Sequence, residues 1–112
     1  MENITVLIAD DHKLIRETWD FLFSNEPGFE VVAVCGNSAE AVESAKVKKP
    51  DIVLMDIDMS PFSGIEATKR ICIVSPQSKV IAVSMHSHLS YAKGMFLAGA
   101  KGYVLKILRE KK

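Results

Sequence analysis

Five short apolar runs, repeating about every 20 to 25 residues, most constrain what this chain can fold into. Most are continuous stretches of Val, Ile and Leu without polar alternation, which is typical of strands buried on both faces of a sheet. Strands that alternate with helices predict a parallel α/β sheet covered by helices on both faces. The runs are Ile4 to Ala9, Glu30 to Cys35, Asp51 to Met55, Lys79 to Ser84 and Gly102 to Leu105.

Helical signals fill the four segments between these runs. Ser38 is the predicted N-cap of the second helix, and Pro50 stops that helix. Ile107 to Arg109 begins a fifth helix, which we expect to be truncated because the sequence stops soon afterwards. The predicted helices are His12 to Glu26, Ser38 to Lys49, Gly64 to Val74 and His88 to Ala98.

The first helical segment carries a stripe of apolar residues. Leu14, Ile15, Leu22 and Phe23 fall near positions that share one helical face, and Trp19 borders them. We interpret these side chains as core residues that pack on the sheet, rather than as a cofactor-binding motif.

The balance of charge restricts the partners of the chain. Its 112 residues include fourteen Lys and Arg against fourteen Asp and Glu. A domain of zero formal charge lacks the basic surface expected of a nucleic-acid or anionic-membrane binder. A chain of this length buries enough surface to fold without a metal or a disulfide. Residues 1–112 are therefore predicted to form one globular domain.

The cysteines and the N-terminus predict a cytoplasmic location. Cys35 and Cys72 lie in apolar runs without metal-binding or redox spacing, so we interpret them as buried thiols of a reducing compartment. The N-terminal run is flanked by acidic rather than basic residues and is too short for a signal peptide or a membrane span.

Acidic, hydroxyl and amine side chains follow several of the predicted strands. In open α/β sheets, the carboxyl ends of the strands form the functional site. Carboxylates that pack together raise one another's pKa unless a cation lies among them, and Mg²⁺ is the simplest such cation. The candidate residues are Asp10, Asp11, Asp56, Asp58, Ser84 and Lys106.

These residues lie within longer motifs that resemble a known family. The stretches IADDHKLIRE, PDIVLMDIDM, GIEATKRI, KVIAVSMH and AGAKGYVLK resemble the receiver domain of two-component response regulators, in particular the NarL/FixJ-like (LuxR-type) subfamily. The resemblance covers nearly the whole chain in the right order. It implies the CheY-like, flavodoxin-like fold with strand order 2-1-3-4-5.

The resemblance also implies a metal-dependent phosphoacceptor. Asp56 matches the aspartate that accepts a phosphoryl group from a sensor histidine kinase. Asp11 matches the direct Mg²⁺ ligand, and Asp10 matches the acid that holds a metal-bound water. Asp56 is itself a ligand, and Asp58 falls where the family uses a backbone carbonyl.

Three further residues match the family's response to phosphorylation. Lys106 matches the lysine that pairs with a phosphoryl oxygen, and Ser84 matches the hydroxyl residue that bonds the attached group and draws its loop inward. Tyr103 matches the switch aromatic whose rotamer follows that hydroxyl. The implied function is a signalling domain that catalyses only its own phosphorylation and dephosphorylation.

Some positions depart from the family pattern or vary within it. Proline stands at Pro61, one place later than usual, so we expect a differently shaped loop beside the site. Asp58 and His86 occupy variable positions that border the attacking water in the family. Gly94 lies inside the fourth helix, where glycine costs about 1 kcal/mol relative to alanine. His12, His86 and His88 lack metal-ligand spacing, and we interpret them as surface or loop residues.

Two other functions compete with the proposed signalling role. A haloacid-dehalogenase-type phosphatase would use Asp56 as nucleophile and Asp58 as general acid, but such enzymes are larger and leave Asp10 and Asp11 without a role. A stand-alone receiver, or a pseudo-receiver that binds its partner without phosphate, is the nearer alternative.

The expected partners follow from the resemblance. It implies a helix-turn-helix effector after the fifth helix of the full-length protein, beyond these 112 residues, so that DNA is bound only through that domain. We expect no membrane partner. The full-length protein is a possible homodimer, whereas this fragment, with most of the fifth helix missing, is expected to be monomeric.

Overall fold

The computed structural model describes residues 2–106, which form a five-stranded parallel sheet in the order β2-β1-β3-β4-β5. Strand order and fold class are as predicted, while the predicted start of a fifth helix lies outside the described residues. The strands are β1 Ile4–Ala9, β2 Phe29–Cys35, β3 Ile52–Met55, β4 Lys79–Ser84 and β5 Gly102–Leu105. The helices are α1 Lys13–Ser24, α2 Ser38–Lys48, α3 Gly64–Val74 and α4 Leu89–Ala98.

Helices cover both faces of the sheet, as the apolar runs predicted. On one face α2, α3 and α4 pack over a large core that includes Leu7, Met55, Ile71 and Met95, all fully buried. On the other face α1 packs over a smaller cluster centred on Ile8 and its neighbours. The central strands are therefore buried on both sides, which explains why they lack polar alternation.

The buried stripe of α1 differs from the predicted one. Trp19 and Phe23 pack on the sheet as predicted, but Leu14 is 74% exposed and Leu22 is 52% exposed. A helix turns about 100° per residue, so Ile15, Trp19 and Phe23 share one line and Leu14 falls well away from it. Trp19 thus lies at the centre of the buried stripe rather than at its border, and the prediction for the two leucines is wrong.

The N-cap of α2 is one residue earlier than predicted. The side chain of Asn37 accepts a hydrogen bond from the Glu40 backbone N–H at 2.8 Å. Ser38 turns inward instead, where its fully buried Oγ accepts a hydrogen bond from the Phe62 backbone N–H at 3.0 Å. Ser38 therefore ties α2 to the loop that follows β3.

Both cysteines are free thiols, as predicted. Cys35 is buried, and burial raises the pKa of its thiol. Cys72 is only partly buried, so the prediction of two buried thiols is half right. Within residues 2–106, no helix is long and apolar enough to cross a membrane.

Candidate functional site

The sheet brings the ends of β1 and β3 side by side. Ala9 pairs with Met55 in the parallel ladder, and the Asp56 backbone N–H donates to the Ala9 carbonyl at 3.0 Å. The residue after each strand is an aspartate, so Asp10 and Asp56 are neighbours although 46 residues separate them in the sequence. This juxtaposition follows from the strand order, because β1 lies directly beside β3 in the sheet.

Four side chains at this edge of the sheet form a candidate metal centre. One ligand atom each from Asp10, Asp11, His12 and Asp56 lies within 4.8 Å of the others. Asp10 and Asp56 are 2% and 3% exposed, and Asp56 Oδ2 has no hydrogen-bond partner among the described residues. A buried carboxylate oxygen without a partner is costly, and a bound cation would satisfy it.

Lys106 already supplies one positive charge to this cluster. Its Nζ lies 2.8 Å from Asp10 Oδ2 and 3.6 Å from Asp56 Oδ1, and the lysine side chain is only 9% exposed. The ammonium therefore approaches two carboxylates of the cluster. One cation leaves the cluster negative, because the cluster contains three carboxylates.

His12 belongs to this cluster, which its spacing in the sequence did not indicate. Its Nδ1 lies 3.2 Å from Asp10 Oδ1 and 3.0 Å from Asp11 Oδ1, and its backbone N–H donates to Asp10 Oδ1 at 2.9 Å. The side chain is exposed, as predicted, yet the interpretation that it has no potential co-ligands is wrong. The missed signal was its position directly after two strand-end aspartates.

Burial and negative charge raise the pKa of Asp56 to about 6. Loss of hydration is the largest cause, and the carboxylate of Asp10 adds to it, while the charge of Lys106 opposes both. The Asp56 carboxylate is thus held in a site that disfavours its charged form. A bound cation stabilises such a buried carboxylate more than it stabilises a solvated one. Formation of a covalent bond at the charged oxygen has the same effect.

Ser84 and Tyr103 lie on either side of the backbone of His86. The His86 N–H donates to Ser84 Oγ at 3.1 Å, and the Tyr103 hydroxyl donates to the His86 carbonyl at 2.6 Å. The Lys106 N–H donates to the Ser84 carbonyl at 2.6 Å, because β4 and β5 are paired. The serine, tyrosine and lysine predicted from the sequence are therefore joined in one hydrogen-bonded group.

The Asp58 side chain points to the neighbouring loop instead of the carboxylate cluster. Its carboxylate lies 2.8 Å from His86 Nε2. The prediction that its side chain need not bind metal is compatible with this position. His86 lies in the loop between β4 and α4, as predicted, but its side chain is half-buried and bonded to Asp58. His88 is exposed and caps α4.

The loop around the displaced proline is held against α2. The Ser60–Pro61 peptide bond is cis. The Ser60 carbonyl accepts a hydrogen bond from the Ser38 N–H at 2.9 Å, and Phe62 is bonded to the Ser38 hydroxyl. The loop that departs from the family pattern is therefore anchored at residues on both sides of the proline.

Comparison with known proteins agrees with this geometry. Residues 6–112 match the response regulator receiver domain. The chain belongs to the response regulator receiver family. It is 41% identical over 103 residues to the transcriptional regulatory protein DegU of Brevibacillus brevis, covering 92% of this chain and 44% of DegU. The receiver chain thus spans less than half the length of that relative.

Solved structures agree in both sequence and fold. A LuxR-family response regulator from Aurantimonas sp. SI85-9A1 is 34% identical with a TM-score of 0.86, covering 93% of this chain and 74% of that one. CheY of Borrelia burgdorferi, solved in a CheX-CheY-BeF3-Mg+2 complex, is 28% identical with a TM-score of 0.87, covering 96% and 81%. The expectation of a NarL/FixJ-like receiver domain is confirmed.

Membership of this family bears on the competing functions. A receiver domain is a signalling domain, and receiver domains generally bind Mg²⁺ at an acidic pocket such as the one formed here. The alternative of a haloacid-dehalogenase-type phosphatase is wrong, because the chain has the family and the strand order of a receiver domain. The would-be general acid of such a phosphatase, Asp58, is engaged with His86.

Proposed function

We propose that Asp56 accepts a phosphoryl group from a phosphohistidine of a sensor kinase. The observation that supports this most directly is the unpartnered Oδ2 of Asp56, a nucleophile oxygen buried beside two acids and one lysine. In the transfer, Asp56 forms a P–O bond while the P–N bond of phosphohistidine breaks and its electron pair leaves on the imidazole nitrogen.

The surrounding residues have separate tasks in this transfer. Lys106 pairs with a phosphoryl oxygen and opposes the negative charge of the group. Ser84, whose Oγ accepts from His86, keeps its hydroxyl hydrogen for a phosphoryl oxygen. Tyr103 then reports the position of this loop to the surface through the His86 carbonyl. The domain thereby acts on itself alone and is not a general enzyme.

The carboxylate cluster fits Mg²⁺. Asp10, Asp11 and Asp56 would hold it, with the backbone carbonyl of Asp58, and oxygen donors of this kind suit a hard cation. Bound there, Mg²⁺ supplies charge neutralisation for phosphoryl transfer. The nitrogen of His12 adds a further donor within reach of Asp10 and Asp11.

We assign the output to a DNA-binding effector elsewhere in the full-length protein. DegU is a transcriptional regulator, and this chain covers less than half of it. We further propose that the full-length protein forms a homodimer. We also propose a cytoplasmic location, because two free thiols suit a reducing compartment.

Intact-mass measurement after incubation with acetyl phosphate and Mg²⁺ tests the phosphoacceptor. We expect one phosphoryl group that is lost on base treatment, as an acyl phosphate is and a phosphoserine is not. Asp56→Asn should abolish the adduct because an amide is a poor nucleophile. Lys106→Ala should permit some phosphorylation but weaken the response of the domain to the attached phosphoryl group. Ser84→Ala should leave the chemistry largely intact and uncouple Tyr103.

Two results would contradict this assignment. One is an adduct that forms equally well on Asp56→Asn. The other is a folded, Mg²⁺-binding protein that never forms an adduct, which would favour a pseudo-receiver that recognises its partner without phosphate.

Thermal denaturation tests the metal site. Millimolar Mg²⁺ should raise the melting temperature by mass action, with about 4 to 8 °C expected for each kcal/mol by which the bound ion increases the free energy of unfolding in a domain of this size. Asp11→Ala should remove most of this shift. Glu17→Ala, which removes an exposed acid of α1 outside the cluster, is the matched control and should keep it. An unchanged shift in Asp11→Ala would contradict the assigned ligand.

A further inference from the structure

His86 contacts four residues, which lie in the loop after β3, in α4, in β4 and in β5. Its Nε2 lies 2.8 Å from Asp58 Oδ2, and its ring stacks on Tyr91 with centroids 3.9 Å apart and planes 17° apart. Its backbone N–H and carbonyl bond Ser84 Oγ and the Tyr103 hydroxyl. The side chain is thus fixed by the loop after β3 and by α4, while the backbone is fixed by the two residues assigned to the switch.

The His86 ring is therefore anchored outside the segment between Ser84 and α4, while its backbone belongs to that segment. If the ring is released from Asp58 and Tyr91, the loop loses the anchors that the His86 side chain provides to the loop after β3 and to α4, although the His88 side chain still caps α4. Ser84 Oγ and the Tyr103 hydroxyl would move with that backbone, because each is bonded to its main chain. The stack on Tyr91 and the hydrogen bond to Asp58 are thus placed to fix groups that they do not touch.

We propose that the Asp58–His86–Tyr91 contacts form a clamp that holds the β4–α4 loop in place, so that Ser84 and Tyr103 are preorganised for the phosphoryl group. The proposal rests on the proposed function, since it concerns the response of the same site. His86 is a positioning residue, because it acts through Ser84 and Tyr103. Preorganisation improves affinity by removing an ordering cost that binding would otherwise include.

The expected effect is modest. The Asp58 side chain is 58% exposed and that of His86 is 29% exposed, and exposed charge pairs contribute little because water competes for them. Loss of the clamp should weaken binding of a phosphoryl mimic by about two- to fivefold. The clamp therefore tunes the response instead of creating it.

The first experiment follows Tyr103 directly in the intact chain. The sequence contains only two tyrosines, so protein labelled with 3-fluorotyrosine gives two ¹⁹F signals, and Tyr91→Phe assigns them while keeping the aromatic stack. Without any added ligand, His86→Ala should shift or broaden the Tyr103 signal, although the carbonyl that Tyr103 bonds is still present. His86→Gln, which retains a side-chain N–H for Asp58, should restore part of the wild-type signal.

The second experiment titrates beryllofluoride with saturating Mg²⁺. His86→Ala should weaken binding about two- to fivefold in the wild-type background and in Asp58→Asn, whose amide oxygen still accepts a hydrogen bond. In Asp58→Ala the same substitution should have a smaller effect, because only the stack on Tyr91 remains to be lost. This double-mutant cycle separates the clamp from a purely electrostatic role of the histidine.

The results that overturn the clamp are distinct from those that overturn the phosphoacceptor. An unchanged Tyr103 signal in His86→Ala overturns the clamp, as does an equal loss of beryllofluoride affinity in the Asp58→Ala background. If the wild-type protein binds no beryllofluoride at all, the proposed function fails. The Tyr103 signal still decides on the clamp in that case.

Discussion

At the scale of single residues, Asp56 combines two demands that conflict. Its carboxylate is almost fully buried, which opposes ionisation, yet the proposed role as phosphoacceptor requires an ionised carboxylate to attack phosphorus. The protein places Lys106 within 3.6 Å of it, but Asp10 and Asp11 add further negative charge. Asp56 therefore destabilises the folded chain at neutral pH, and a cation or the phosphoryl chemistry relieves this cost.

The raised pKa of Asp56 predicts how stability depends on pH. Because its pKa is about 6 when folded and 3.8 ordinarily, the folded state binds more protons in this window. Its contribution to stability is fully present below pH 3.8 and is lost as the pH rises through 6. In the absence of divalent ions, Asp56→Asn should therefore stabilise the protein at pH 7 by up to about 3 kcal/mol, measured by urea denaturation.

Asp51→Asn provides a control of opposite sign. A hydrogen bond from the Thr5 backbone N–H lowers the pKa of this exposed carboxyl. Its contribution is present above pH 3.8 and disappears as the pH falls through the lowered pKa, so this variant should be destabilised at neutral pH. The prediction for Asp56 compares the variant with the wild type at each pH. If Asp56→Asn lost stability relative to the wild type on going from pH 4 to pH 7, the burial of an unfavourable charge at Asp56 would be refuted.

At the scale of elements, two glycines have opposite structural consequences. Gly64 begins α3 against the backbone of Asp56, where an added Cβ would lie 1.9 Å from the Asp56 backbone oxygen. Gly94 lies inside α4, and a Cβ there would meet only the tip of the Ile65 side chain at 3.1 Å. The first contact is with backbone that cannot move without displacing Asp56, while the second is with a flexible side chain.

Replacing each glycine by alanine should separate these cases. Gly64→Ala should destabilise the protein by more than about 3 kcal/mol, because the steric overlap is with main chain. Gly94→Ala should instead stabilise it by about 0.5 to 1 kcal/mol, since alanine is the better helix former and Ile65 can yield. Thermal denaturation of both variants gives the comparison. Equal effects would show that backbone contact does not explain the need for Gly64.

At the scale of the whole molecule, burial is concentrated on the face covered by α2, α3 and α4. Ile71 of α3 is fully buried in that core, whereas Ile73, two residues later on the same helix, is 78% exposed. Within the described residues, α1 has no fully buried side chain on the opposite face. The larger core therefore carries most of the apolar contribution to stability.

These two isoleucines offer a matched test of that distribution. Ile71→Ala should lower the free energy of unfolding by about 2 to 5 kcal/mol, because it removes buried methyl groups and leaves a cavity. Ile73→Ala should change it by less than about 0.5 kcal/mol. Chemical denaturation measures both. A small loss in Ile71→Ala would mean that this face does not dominate the stability of the domain.

The sequence by itself determined the elements and which acids meet at one edge of the sheet. Continuous Val and Ile runs place the strands within a residue or two of their observed bounds, because burial on both faces leaves no room for polar alternation. The aspartates that follow those runs could be assigned to one site, since the carboxyl ends of parallel strands meet at a common edge. Family motifs then supplied the expected role of each acid.

Only the tertiary structure decided which side chains meet across elements. Leu14 and Trp19 are both apolar positions of one helix, and the direction in which α1 packs on the sheet buries one and exposes the other. The bond between Asp58 and His86 joins residues 28 positions apart. Such contacts depend on the separation of two loops in space, and that distance is set by the packing of strands and helices rather than by any local pattern.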